Sequence, residues 1–202
     1  RATLTAGFPF ADVFVSGGMK KFGAYEAGDG SEVQSGFRMN DYSVKVGLNP
    51  AERHRVQFTN RGSYMRDVYY PALPMDALVD DTHLYALDYV GKSFGGVLSS
   101  FSAKGYVSEV RHIMGNQWKP TYATMHAETD VQAKTVGGKV EALFLPFEAL
   151  AVYGGVDGYD LMKSGDRVRR FVSGPNNGKT FLDTVWQDSR IRDLGAYLEA
   201  RA

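Results

Sequence analysis

Connections between extended segments alternate strictly between short and long along this chain, and that rhythm constrains the fold more than any single motif. Alternating side chains mark strands at residues 2–7, 12–25, 37–48, 55–70, 82–90, 102–114, 129–145, 150–162 and 188–202. Compact turns fall at 8–11, 49–52, 91–96 and 146–148, whereas polar loops occupy 26–35, 71–81, 115–128 and 163–180. Many of these strands exceed the five or six residues usual in globular sheets. A soluble sandwich has no reason to gather every long loop at one end. An up-and-down barrel across an outer membrane does, with tight turns on one side of the bilayer and long loops on the other.

The expected fold is therefore all-β: an antiparallel up-and-down transmembrane β-barrel of about nine strands. Bacterial single-chain barrels have even strand numbers, and the last strand lacks a terminal aromatic residue. Residues 1–202 are accordingly read as one partial domain of a larger barrel. Within the strands one face is apolar or aromatic and the other small, polar and charged. Tyr42, Val44, Val46 and Leu48 oppose Asp41, Ser43, Lys45 and Gly47, and Leu194, Ala196, Leu198 and Ala200 oppose Asp193, Gly195, Tyr197 and Glu199. A soluble barrel would turn the apolar set inward and a membrane barrel would turn it outward. Alternation alone does not choose; strand length and loop asymmetry favour the membrane.

Composition removes several classes of function. Formal net charge is zero, so there is no basic field to attract nucleic acid. Cysteine is absent, which excludes disulfides and thiolate sites. No run of ~20 apolar residues exists to form a spanning helix. The 12 Tyr, 12 Phe and 23 Gly suit strands, turns and aromatic girdles. Trp118 and the tyrosines at strand ends are expected at the lipid interface. Serine, histidine and aspartate form no recognisable nucleophilic set, so no enzyme is expected.

His112 and Met114 are the one soft, metal-capable doublet set in a strand, and their spacing of two puts both side chains on one face. Imidazole and thioether favour copper, the thioether selecting Cu(I). Two ligands seldom hold a metal alone, and lining an interior is the plain alternative. Met125 and His126 in the following loop are candidate helpers. Other features read more simply. Asp76, Asp80 and Asp81 lack the spacing of a calcium loop and read as a solvated acidic loop. The glycines at 174 and 178 are too closely spaced for a phosphate-binding loop, leaving a hairpin connection. Lys134, Lys139, Glu141, Arg190 and Arg192 read as interior or rim charges.

Several stretches resemble the barrel of TonB-dependent outer-membrane receptors: Gly28-Asp29-Gly30 through Val46-Gly47-Leu48-Asn49-Pro50, Pro71-Ala72-Leu73-Pro74-Met75-Asp76, Arg111-His112-Ile113-Met114-Gly115-Asn116, and 188–196. The copper receptors among them are the most similar branch, with a His-x-Met pair that falls here on His112 and Met114. The chain departs from that branch at Gly115, where such receptors tend to carry Asp. The resemblance implies the bacterial outer membrane and the gated entry of a metal ion or metal chelate, copper first among candidates. It also implies TonB as the source of driving force, acting through a plug domain outside these residues. Two further readings stand beside it: a self-contained small outer-membrane barrel with an adhesin or structural role, and a soluble β-barrel holding a small apolar ligand.

Overall fold

A computed structural model describes residues 1–202. Nine strands form a single antiparallel sheet: β1 (Ala2–Gly7), β2 (Ala11–Phe22), β5 (Phe37–Ala51), β6 (His54–Val68), β7 (Asp76–Lys92), β8 (Leu98–Gly115), β9 (Met125–Phe147), β10 (Leu150–Phe171) and β11 (Thr180–Arg201). A two-residue hairpin, β3 (Tyr25–Glu26) and β4 (Glu32–Val33), decorates the β2–β5 loop, and one 3-10 turn, Pro120–Ala123, sits between β8 and β9. Every strand of the main sheet pairs only with its sequence neighbours, so β1 and β11 each keep one free edge and the sheet stays open. No helix is long and apolar enough to cross a membrane. The up-and-down order and the alternation of short turns with longer loops match the expectation.

Strands run further than their polar ends suggest. β10 and β11 each have 22 residues, so most of the polar stretch read as a loop at 163–180 is ladder. Its charges are consumed across the strands. Arg167 Nε and Arg169 Nε donate to Asp183 Oδ2 at 3.1 and 2.6 Å. The acidic loop expected at 71–81 is corrected in the same way. β7 starts at Asp76, and Asp80 and Asp81, as strand neighbours, project to opposite faces and cannot converge on one cation.

Register sorts the wall into two faces. One directly opposed row reads Val13–Val46–Phe58–Leu87–Gly105–Gly138–Gly158–Leu194. The adjoining row on the other face reads Asp12–Gly47–Gln57–Asp88–Lys104–Lys139–Asp157–Gly195. Polarity inverts through the thickness of one sheet, as a wall between hydrocarbon and water requires. Burial differs as well. Ser16, Thr59, Ala86, Ala127 and Thr129 are buried on the polar face, where a curved wall crowds its inner side. Leu87, Leu194 and Leu198 on the apolar face stay 55%, 82% and 78% exposed. The Tyr42–Val44–Val46 row is not packed into a dry core; the buried apolar side chains are Val68, Ala77, Ala86 and Ala127 alone.

The apolar face has an upper limit. On β5 it runs from Leu48 to Tyr42, about 20 Å at strand rise, close to the roughly 25 Å apolar band of membrane barrels. On β8 it ends at Val107, and on β10 and β11 at Gly158 and Leu194. The boundary steps down across the sheet, as expected for strands tilted to the barrel axis. Beyond it the same face turns charged. Lys134, Arg190 and Arg192, expected among interior or rim charges, lie there, with Lys134 paired to Glu109 at 2.8 Å and both arginines joined to Asp160. Lys139 and Glu141, 2.8 Å apart, keep to the polar face.

Candidate metal site on the polar face

His112 and Met114 lie near the long-loop end of β8, with side chains on the polar face. The ladder brings them company that spacing within one strand does not reveal. Met39, Met65, Asp80 and His112 stand directly opposite one another on β5, β6, β7 and β8. Met114 faces Thr129, whose hydroxyl points to the Met75 sulfur at 3.9 Å. Two thioethers thus share a row with the imidazole, and a third folds back beside the strand partner of Met114.

Asp80 Oδ2 lies 3.3 Å from His112 Nδ1, both side chains about one-quarter exposed. A carboxylate beside one ring nitrogen leaves Nε2 as the free donor, the placement that outer-shell carboxylates take behind metal-ligating histidines. No three of His, Asp and Glu converge anywhere in the chain, which leaves thioether sulfur as the remaining donor chemistry around His112. One imidazole among thioethers is a soft donor set.

The two loop candidates part company. Met125 opens β9 on the polar face, four residues beyond Thr129 and so about 13 Å along the strand from the Met114 level. His126 projects to the opposite face, paired with Arg170, and stacks on Tyr122 with ring centroids 3.8 Å apart. The structure sets Asp80 beside His112 and Met75 beside the strand partner of Met114, places Met65 and Met39 two and three strands away along the same row, and leaves His126 outside it.

Above this site three long loops are tied together. Tyr69 N donates to Gly36 O at 3.0 Å, joining the β2–β5 and β6–β7 loops. Lys119 Nζ reaches Asp76 Oδ1 and the Tyr70 carbonyl, both at 2.8 Å, joining β6–β7 to β8–β9. Asp76 is 1% exposed and also accepts from Tyr70 N. Burial, then the Asp80 and Asp76 carboxylates, push the Tyr70 phenol up. Asn116, 2% exposed, holds the next turn by donating to Met125 O at 2.7 Å and accepting from Ala127 N at 2.8 Å. Trp118, expected at the lipid interface, packs on Tyr69 within this loop cluster, ring centroids 4.9 Å apart.

No family model matches the chain, and comparison with curated proteins yields no match. Solved structures do match. One described as copper transporter OprC superposes with a TM-score of 0.84 at 20% identity, over 98% of this chain and 32% of that one. The chain thus spans about a third of that transporter's length, and the likeness is one of fold: a nine-stranded section of barrel wall.

Proposed function

We propose that the chain forms part of the barrel wall of a bacterial outer-membrane receptor that takes up a metal ion or metal chelate, copper foremost. In this reading the polar face lines the passage, the apolar face meets lipid, and TonB drives release through a plug domain supplied by other residues. The open sheet favours a share of a larger wall over a self-contained barrel. Likeness in fold to a protein described as a copper transporter is in keeping with this cargo.

The observation that carries the reading is the His112 row. An imidazole with the Asp80 carboxylate 3.3 Å from its Nδ1 stands near Met114, with Met65 and Met39 in line across the wall. Borderline nitrogen and soft sulfur suit copper, and thioethers favour the reduced ion. Oxygen-seeking cations such as calcium find no comparable set of carboxylates. Arriving Cu(I) would meet sulfur first and gain the imidazole at the wall, with the plug completing its coordination.

The test is a Cu(I) titration of the full-length protein against a competing chelator. His112→Ala and Met114→Ala should each weaken binding. Affinity unchanged in both variants removes the metal reading.

A further inference from the structure

The polar face carries a cleft of about 430 Å³ over β2, β5, β6 and β7, lined among others by Phe14, Ser16, Asp41, Lys45, Arg61 and Thr82. Lys45 stands between Val44 and Val46 on β5, six residues below Met39 and the His112 row. The cleft is therefore level with the apolar rows of the other face, at the depth of the hydrocarbon.

Charge at this level does not balance. Three adjoining rows cross the cleft: Phe14–Lys45–Thr59–Ala86–Tyr106, Ser16–Ser43–Arg61–Leu84–Ser108 and Gly18–Asp41–Ser63–Thr82–Val110. Lys45, Arg61 and Asp41 are the charged residues in them, and Arg1 adds a cation from the edge, lying with Asp41 over Gly18. With Arg1 set against Asp41 two cations remain; with Arg1 left out one remains. Neighbouring groups do not change the sum. Below, Asp12 is paired to Arg55 at 2.6 Å and Asp88 to Lys104 at 3.3 Å. Above, Lys20 offsets Asp80, and further along the three rows Asp193 and Lys163 offset each other.

The cleft also holds hydrogen-bond donors without acceptors. Lys45 Nζ rests over the Phe14 ring at 5.7 Å, and neither it nor Arg61 is ion-paired as Arg55 and Lys104 are. Ser16 is 2% exposed, and its Oγ and that of Ser43 have no hydrogen-bond partner. Lys45 and Arg61 occupy diagonal positions on neighbouring strands, about 7–8 Å apart, with Ser43 between them. One carboxylate placed there accepts from both cations and from the hydroxyls.

We propose that this cleft docks an acidic segment of the plug domain, with an Asp or Glu side chain seated between Lys45 and Arg61. The inference rests on the uptake reading, which supplies the plug, and adds where the plug meets this wall and with which sign of charge. Depth and girth select a resident polypeptide over a passing solute. Nine strands account for about a third of the matched transporter's length, and transporter barrels of that girth have a plugged lumen. Cations enclosed between wall and plug need a fixed partner, because bulk water is not there to solvate them.

The experiment treats the full-length protein in detergent with a water-soluble carbodiimide in the presence of citrate, and maps the products by mass spectrometry. The reagent activates a carboxyl as its O-acylurea; the neutral Lys45 amine displaces it, forming an amide and releasing the urea. Lys45 should be joined to an Asp or Glu outside residues 1–202, and Lys45→Arg should abolish that product alone. In Lys45→Gln/Arg61→Gln the plug should become protease-sensitive at lower urea than in the parent, while Lys21→Gln, on the outward face, should leave the urea dependence unchanged. Lys45 joined only to Asp41 or Asp12, Lys45 carrying citrate, no product at Lys45, or unaltered protease sensitivity in the double variant overturns the inference. Heat-dependent gel mobility is scored for each protein. A parent that lacks it and dissolves without detergent sinks the outer-membrane reading itself, whereas a heat-modifiable parent whose Lys45 takes citrate sinks only this docking site.

Discussion

A methyl group at Gly62 would collide with the ring of Tyr42, which lies across the ladder over that glycine and stacks on Tyr64 with centroids 6.2 Å apart. Gly62→Ala should therefore cost about 1–3 kcal/mol as the ring is forced off its rotamer. The denaturant midpoint of the folded, heat-modifiable form measures this; an unshifted midpoint would mean the ring does not sit there. At the candidate metal site, Asp80 stands behind His112, 3.3 Å from its Nδ1. Asp80→Asn should lower Cu(I) affinity about 10- to 100-fold, the usual range for an outer-shell partner, with the denaturant midpoint little changed. Chelator competition reads it, and an effect as large as that of His112→Ala would argue that Asp80 binds the ion directly. How much of this was legible in the sequence differs residue by residue. The His112–Met114 pair needs only the period of a strand. Met39, Met65 and Asp80 join it through register across β5 to β8, which depends on the exact placement of the turn at Glu52–Arg53, legible only as a turn near 49–52, and on the bulge between Ala77 and Val79, which leaves no readable mark.

Between elements, the decisive contact is Lys119 with Asp76. The carboxylate is 1% exposed, and its Oδ2 has no hydrogen-bond partner, so it depends on the lysine for compensation. Lys119→Met should leave an uncompensated buried charge, a loss of about 3–5 kcal/mol confined to the loop cluster. Hydrogen exchange should rise in 69–75 and 116–124 while strand protection holds; unchanged exchange in both loops would show that the ion pair does not tie them. Strand faces were readable throughout, because alternation is local. Strand ends were not. Residues 163–170 look like a loop by composition, yet they form ladder, since Asp183 on the partner strand gathers the charges of Arg167 and Arg169. Polar strand tips outside a membrane have no hydrophobic signature to betray them.

Over the whole molecule, one sheet separates two environments. Leu87→Arg places a cation in the fully uncharged row and should cost about 2–4 kcal/mol of folding into vesicles, the range for charges at the middle of a barrel's lipid face. Ser108→Arg, on the opposite face, should be tolerated. Equal penalties in folding titrations would reverse the assignment of inside and outside. The up-and-down topology followed from the alternation of loop lengths; the open edges and the outward charges above the apolar rows follow from register and polarity row by row.

His112 lies three residues beyond Glu109 on β8, about 10 Å further along the strand, and Glu109 is already the first charge past the apolar rows. The imidazole therefore stands above the oily layer, at the doorway rather than in the corridor. In the proposed uptake an ion docks there without descending into the bilayer's span, so docking and descent are separate events with separate residues. A lesion deeper in the passage, among the Lys104, Lys139 and Asp157 charges, should leave docking intact while stalling delivery, and the two could be scored independently in the same cells.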